Sequence, residues 1–249
     1  MKFLRNLVIT LAVIGIGAPT LMLGALEGGY YYELSKIEPV KHLSDVDYSK
    51  QLQEIMWVAT TETGEISMDK LSATGFVYRT FTTFGEDAKG PGLQGFYIAL
   101  NLAESLLNKR IQADSTGDDR LKKSGMLSIW VTKNYTATEA INAMINWIHL
   151  GNDIYGADNA AEFYFNKPVE SLDLSENLVL GVLSYWPDLA TICEHEKQLE
   201  LSKQAKLILE NLKINFPDNY KSSEFASPEY SNAAKAGCSY GKSRSLHNS

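Results

Sequence analysis

The sequence of 249 residues predicts a mainly α-helical protein. Apolar side chains recur every three or four residues over long stretches, and this spacing is typical of helices that bury one face. Alternating patterns typical of strands are few. A third observation is an uncharged apolar run near the N-terminus, which is long enough to cross a bilayer as a helix. We therefore expect a helical domain that follows an N-terminal transmembrane helix.

The N-terminal segment 1–29 is predicted to be an uncleaved signal anchor. Its apolar run extends from Leu7 to Leu26. A cleaved secretory signal is the alternative, but the run is long for a signal core and lacks a good cleavage pattern of small residues. Lys2 and Arg5 precede the run, and basic residues there favour a cytoplasmic N-terminus. The bulk of the chain is then expected on the other side of the membrane.

The rest of the chain divides into three predicted parts. Segment 30–51 is interpreted as a stalk, which opens with three tyrosines suited to a membrane interface. The helical domain is assigned to 52–214. Segment 215–249 is poor in aliphatic residues and is predicted to be irregular or partly disordered. Within the domain, periodicity predicts helices over 68–83, 96–107, 120–134, 136–150, 157–165, 175–185 and 194–214, with a further candidate helix at 52–60. Thr136 and Glu139 form a capping box before the fourth of these helices.

Charge and cysteine content limit the possible functions. The formal net charge of −7 argues against a nucleic-acid-binding surface. Cys193 and Cys238 are too few for a disulfide framework. They could form one disulfide in an oxidising compartment or remain free thiols, and the sequence leaves both possibilities open.

The most informative stretch extends from Asn146 to Trp186. A glycine-rich turn leads into a helix of small residues, and a second helix begins near Ser175. Local physics alone predicts a pair of ordinary core helices. A set of residues in this stretch gives further information about the function. These residues are Asn146, Gly151, Tyr155, Gly156, Ala160, Ala161, Tyr164, Phe165, Lys167, Leu172, Leu174 and Glu176. In this order and spacing they resemble the peptidoglycan glycosyltransferases of glycosyltransferase family 51, found in monofunctional transglycosylases and in the first domain of class A penicillin-binding proteins.

The resemblance implies a lysozyme-like helical domain on the periplasmic side of a bacterial inner membrane. It also implies a substrate, since the family joins the disaccharide units of lipid II into glycan strands. A family glutamate in E-D-x-x-F-x-x-H-x-G acts as the general base, and cationic groups help the polyprenyl pyrophosphate to leave. Counting back from Arg79 places Glu62 at the position of that base. The implied substrate-binding residues are Arg79, Arg120, Lys123, Asn146 and Lys167.

The resemblance is eroded where the family does its chemistry. Apart from Glu62, the characteristic residues of the first motif are absent. The second family glutamate, in R-K-x-x-E, falls on Ser124, and Thr132 replaces a further, structural glutamate. A hydroxyl-rich family segment, G-G-S-T-I-T-Q-Q, is matched only in outline by 90–95. A serine cannot carry the charge of a carboxylate base, so we expect catalysis to be impaired or lost.

The sequence therefore predicts a membrane-anchored, transglycosylase-like protein related to glycan-strand polymerisation. The alternative is a non-catalytic subunit that binds glycan or lipid carrier, or serves as a scaffold in an envelope assembly. No cofactor is predicted, although the resemblance allows a divalent cation. The expected partners are lipid II or a glycan strand and the inner membrane. Envelope proteins are possible further partners, and nucleic acid is not expected as a partner.

Overall fold

The structure, a computed structural model, describes residues 18–36, 46–60, 64–77, 94–110, 118–190 and 194–235. The regular secondary structure in these ranges is helical, and turns, irregular segments and one isolated bridge between His149 and Tyr155 make up the rest. The prediction of a mainly α protein is confirmed. The helices are α1 (Ala18–Leu34), α2 (Lys50–Ala59), α3 (Phe96–Arg110), α4 (Asp118–Asn134), α5 (Ala137–Trp147), α6 (Ala157–Phe165), α7 (Leu174–Tyr185), α8 (His195–Asn215) and α9 (Pro217–Tyr220). Short 3-10 turns at Val169–Ser171 and Pro187–Ala190 flank α7.

Local sequence signals explain where several helices begin. Thr136 caps α5 and Glu139 completes the predicted capping box. Asp173 and Glu176 form a second capping box at the start of α7. Each box satisfies backbone N–H groups that have no partner within the first turn of a helix. Four side chains therefore determine where these two helices begin.

The predicted helix at 68–83 is wrong in its first part. Residues 67–72 are not helical, whereas 73–77 are, and 78–83 lie outside the described residues. The backbone N–H of Asp69 donates to the Gln94 carbonyl at 2.9 Å, and that of Leu71 donates to the Thr132 hydroxyl at 3.0 Å. Because these donors are engaged by other parts of the chain, they are not available to a helical ladder.

The core lies where α2, α5, α7 and α8 pack together. Trp57, Met144 and Leu178 are fully buried there. Helices α2 and α7 come unusually close, since a Cβ added at Gly181 would lie 2.6 Å from Cγ2 of Ile55. Helix α3 packs on both α4 and α5, and thereby joins α4 to the main core.

Helix α1 packs on α4 through its C-terminal half. Tyr30 is buried, Glu33 forms an ion pair with Lys122 at 3.1 Å, and the ammonium of Lys133 lies 4.6 Å from the centroid of the Tyr30 ring. The first residues of the predicted stalk, 30–34, thus belong to a helix that contacts the domain. The N-terminal half of α1 leaves Leu21 and Met22 exposed.

In the part of the chain that the structure describes, no helix combines the length and apolar character needed to cross a bilayer. Most of the predicted anchor run, 7–17, lies outside the described residues.

Residues 217–235, which we call the C-terminal strap, return from the end of α8 across the helical domain. The Tyr220 hydroxyl donates to the buried Glu54 carboxylate of α2 at 2.7 Å. The Ala226 N–H donates to Ser175 Oγ of α7 at 3.1 Å, and the Ser231 N–H donates to the Tyr164 carbonyl of α6 at 2.7 Å. Three helices of the core therefore hold this part of the segment that was predicted to be irregular. Residues 236–249, including Cys238, lie outside the described residues, as does Cys193.

Candidate functional site

The structure describes four of the six residues predicted for the site. Arg120 and Lys123 lie on α4, Asn146 lies near the end of α5, and Lys167 follows α6. Glu62 and Arg79 lie outside the described residues, so their roles as base and substrate ligand remain predictions.

Arg120 is engaged by an acid from the neighbouring helix. Its Nη2 and Nε both donate to Oε2 of Glu104 on α3, at 2.6 and 3.1 Å. The two side chains are 41% and 35% exposed, so the pair lies at the edge of the α3–α4 contact. Much of the guanidinium charge is compensated before any ligand arrives. Sequence reasoning missed Glu104, because only the packing of α3 on α4 brings it to Arg120.

Ser124 lies one turn beyond Arg120 and is completely buried. Among the residues that the structure describes, its Oγ has no hydrogen-bond partner. The neighbouring Gly125 is tightly packed as well, since a Cβ there would lie 2.6 Å from Cζ of Phe76. The position at which the family places its second glutamate is thus packed into the protein interior, and its hydroxyl is not presented to a solvent-filled cleft.

Thr132 shows what replaces the structural glutamate of the family. It is 2% exposed, and its Oγ1 accepts from the Leu71 N–H while donating to the Ile129 carbonyl at 2.9 Å. The hydroxyl therefore ties α4 to segment 64–77, which follows Glu62 in the chain.

Asn146 belongs to a polar cluster that fixes the beginning of α6. The Tyr48 hydroxyl donates to Oδ2 of Asp158 at 2.5 Å and lies 3.4 Å from Oδ1 of Asn146. Burial, followed by the hydrogen bond to Asp158, raises the pKa of Tyr48. The Asn146 carbonyl also packs against Gly156, where a Cβ would approach it to 2.6 Å. In the protein without ligand, Asn146 thus helps to set the chain geometry between α5 and α6.

Lys167 forms an ion pair with Glu176 of α7. The two side chains meet at 2.6 Å, and the glutamate side chain is only 3% exposed. Oε2 of Glu176 also accepts the Asp173 N–H at 2.9 Å, as part of the capping box. The hydrogen bond to Glu176 raises the pKa of Lys167. Lys167 is therefore already committed to a buried carboxylate, and its surroundings are those of a residue that joins α6 to α7.

Among the described residues, no group of three or more His, Cys, Asp and Glu side chains lies close enough together to hold a metal ion.

The fold and the site together define the class of this protein: it is a mainly helical domain that carries these motifs in this order. The family model "Transglycosylase" matches residues 102–213, a segment that begins in α3 and ends in α8. Over this segment the chain matches the transglycosylase family, and the resemblance predicted from the residues between Asn146 and Glu176 is confirmed.

The chain is also similar to several penicillin-binding proteins. It is 33% identical over 81 residues to penicillin-binding protein 4 of Bacillus subtilis, a match that covers 32% of this chain and 13% of that protein. It is 26% identical over 155 residues to penicillin-binding protein 1A of Mycobacterium tuberculosis, which covers 61% of this chain and 18% of the relative. Penicillin-binding protein 1A of Pseudomonas aeruginosa is 32% identical over 62 residues, covering 25% of this chain and 8% of the relative. The chain thus matches less than a fifth of the length of each of these relatives.

Proposed function

We propose that this protein is a membrane-anchored, periplasmic member of the transglycosylase family that binds lipid II or a glycan strand and has impaired or lost polymerising activity. The observation that carries the proposal is the burial of Ser124 at the position of the second family carboxylate. The family match over 102–213 supports the substrate class.

The chemistry of glycosyl transfer explains why this position is decisive. A base must hold a negative charge near the sugar hydroxyl that it deprotonates, and cationic groups must face the leaving pyrophosphate. Ser124 supplies no carboxylate, and the charge of Arg120 is compensated by Glu104 at 2.6 Å. Because residues of one catalytic unit act together, loss of a single member removes most of the rate. Binding depends on more dispersed contacts and is expected to outlast turnover.

The membrane anchor is supported by the sequence before α1 and by the exposed side chains of α1. Leu21 and Met22 are 76% and 67% exposed. Tyr31 and Tyr32 are exposed two to three turns later, at a distance that suits an interfacial aromatic belt. An apolar helix end followed by tyrosines is what we expect where an anchor leaves a bilayer.

The test uses the full chain in lipid nanodiscs with fluorescent lipid II. We expect lipid II to bind with no glycan polymer formed, as measured by anisotropy and by gel analysis of the products. Arg120→Ala should weaken binding, whereas Lys203→Ala on the exposed face of α8 should leave it unchanged. Polymer that disappears in Glu62→Gln would show an active enzyme. Absence of lipid II binding would favour the scaffold alternative.

A further inference from the structure

A cleft of about 840 Å³ lies between the end of α6, the beginning of α7 and the C-terminal strap. None of the described residues that line it belongs to α3 or α4, so this lining is separate from the segment that carries Arg120 and Ser124. Its volume falls in the range typical of small-molecule sites. The cleft exists because the strap crosses α6 and leaves a gap beside it.

The strap is fixed to α6 at the rim of the cleft. Ser231 donates its N–H to the Tyr164 carbonyl at 2.7 Å, and its Oγ donates to the Phe163 carbonyl. The hydroxyl of Ser231 also accepts the Ala234 N–H at 3.0 Å, which starts the short helix at 232–235. These bonds hold the wall of the cleft in place without a ligand.

An aromatic pair forms one side of the cleft. The rings of Phe165 and Tyr230 stack with centroids 5.8 Å apart and an interplanar angle of 24°. Burial raises the pKa of Tyr230 to about 12, so its hydroxyl stays protonated at physiological pH. Tyr230 therefore offers both an apolar surface and a hydroxyl group that can donate a hydrogen bond.

Polar groups also line the cleft. Asn159 and Glu162 lie on the exposed face of α6, and Asn166 follows it. Among the described residues, the lining carries four carboxylates, from Glu162, Asp173, Glu176 and Glu229, and two ammonium groups, from Lys167 and Lys235. The surplus of negative charge disfavours phosphates and other anions. Amides and carboxylates beside an aromatic face suit an uncharged ligand with many hydroxyl groups.

We propose that this cleft binds a short uncharged oligosaccharide, with the sugar rings against the Tyr230 side and their hydroxyl groups bonded to Glu162 and the neighbouring amides. The assignment of an oligosaccharide to the cleft rests on its lining residues. That the natural oligosaccharide is an envelope glycan rests on the proposed function. The cleft would then hold a glycan strand at a second point, away from α4.

The probe is chitotetraose, titrated calorimetrically into the full chain in detergent micelles. We expect a dissociation constant of about 1 mM or tighter, which corresponds to a few productive contacts. Tyr230→Ala should weaken binding by about tenfold, the equivalent of one aromatic contact. Tyr230→Ala could also loosen the strap, so a second variant is needed that does not change a strap residue. Glu162→Gln changes a polar residue of the cleft on α6 and should weaken chitotetraose binding too.

Glu210→Gln is the matched control, because Glu210 lies on the exposed surface of α8 and pairs with Lys213. It should bind chitotetraose as the unmodified chain does. No binding at about 10 mM ligand, or unchanged affinity in both cleft variants, would overturn the proposal. Lipid II binding is measured on the same samples. Its loss with chitotetraose binding retained would refute the proposed function and leave the cleft assignment standing.

Discussion

At the scale of single residues, the described part of the interior satisfies most of its polar side chains, and Ser124 is among the few that it leaves without a hydrogen-bond partner. Glu54 accepts from Tyr220 and Asn219, and Glu176 accepts from Lys167 and the Asp173 N–H. The buried hydroxyl of Ser124 has no such partner. An unpartnered buried hydroxyl costs free energy, because it has given up its bonds to water. Ser124 is therefore a replacement that the fold tolerates without using its hydroxyl.

The comparison of Ser124→Ala with Ser128→Ala tests this view. Both serines are fully buried on α4, one turn apart, but Ser128 Oγ donates to the Gly125 carbonyl at 2.8 Å. Both changes gain similar helix propensity, so the difference between them isolates the hydrogen bond. We expect Ser124→Ala to be more stable than Ser128→Ala by about 1 kcal/mol in urea unfolding. The reverse order would mean that Ser124 has a partner that its surroundings do not reveal.

The sequence predicted residue types better than residue partners. Lys167 and Glu176 were recognised by their spacing, and Ser124 was placed by counting from Tyr135. Their pairing and burial were not predictable, because both depend on how α4 and α7 pack. Glu104 was missed for the same reason, since nothing in its local sequence distinguishes it from an ordinary surface acid.

At the scale of elements, the turn between α5 and α6 is the most constrained part of the described chain. Gly151, Asn152, Asp153 and Gly156 all have positive φ. The turn is closed onto α6 from both sides. Asn152 Nδ2 donates to the Tyr164 hydroxyl at 3.2 Å, and that hydroxyl donates to the Leu150 carbonyl at 2.8 Å. A glycine-rich motif that resembles a flexible loop in the sequence is thus a tightly packed connection between two helices.

Gly151→Ala should therefore be severely destabilising. Gly151 has a φ of 84°, and an added Cβ would lie 2.2 Å from Cβ of Ala190 and 2.6 Å from the Pro187 carbonyl. Backbone strain and overpacking together are expected to cost about 3 kcal/mol. Gly28→Ala is the control, because nothing lies within 4 Å of its Cβ position and the residue sits in α1. A gain of up to about 1 kcal/mol is expected for that variant. Equal melting temperatures for the two variants would contradict the packing described here.

Element boundaries followed the sequence where local chemistry determines them. The capping box of α5 and the long amphipathic α8 were predicted closely. The helix expected at 68–83 was not, because the backbone N–H groups of Asp69 and Leu71 bond to distant parts of the chain. Hydrogen bonds between segments that are far apart in the sequence cannot be predicted from the spacing of apolar residues within either segment.

At the scale of the whole molecule, buried and partly buried tyrosines connect the first and last described segments to the helical core. Tyr30 joins α1 to α4, Tyr48 joins the segment before α2 to α6, and Tyr220 and Tyr230 join the strap to α2 and α6. Tyr164 closes the turn before α6. The sequence predicted the helical body between these ends. The return of the strap was not predictable, since segment 215–249 carries no strong helical pattern.

These tyrosines should make the protein sensitive to alkaline pH. Burial raises the pKa of Tyr30, Tyr164 and Tyr230 from 10.0 to about 12. Burial, with hydrogen bonds to Asp158 and Glu54, also raises the pKa of Tyr48 and Tyr220. Because the folded state holds these protons more tightly than the unfolded state, their contribution to stability is complete below pH 10. That contribution is lost as the pH rises through 12.

We expect the melting temperature, followed by circular dichroism, to fall steeply above pH 10, with tyrosinate absorbance appearing as the protein unfolds. Tyr164→Phe removes one such group together with its hydrogen bond to Leu150. This variant should be less stable at pH 7, yet its melting temperature should fall less steeply above pH 10. The pKa shift of Tyr164 from 10.0 to about 12 corresponds to roughly 3 kcal/mol of stability. Tyr32→Phe, at a residue that is 64% exposed, should keep the original slope. A melting temperature that stays level up to pH 12, or the same slope in Tyr164→Phe, would show that these hydroxyls do not link the fold to pH.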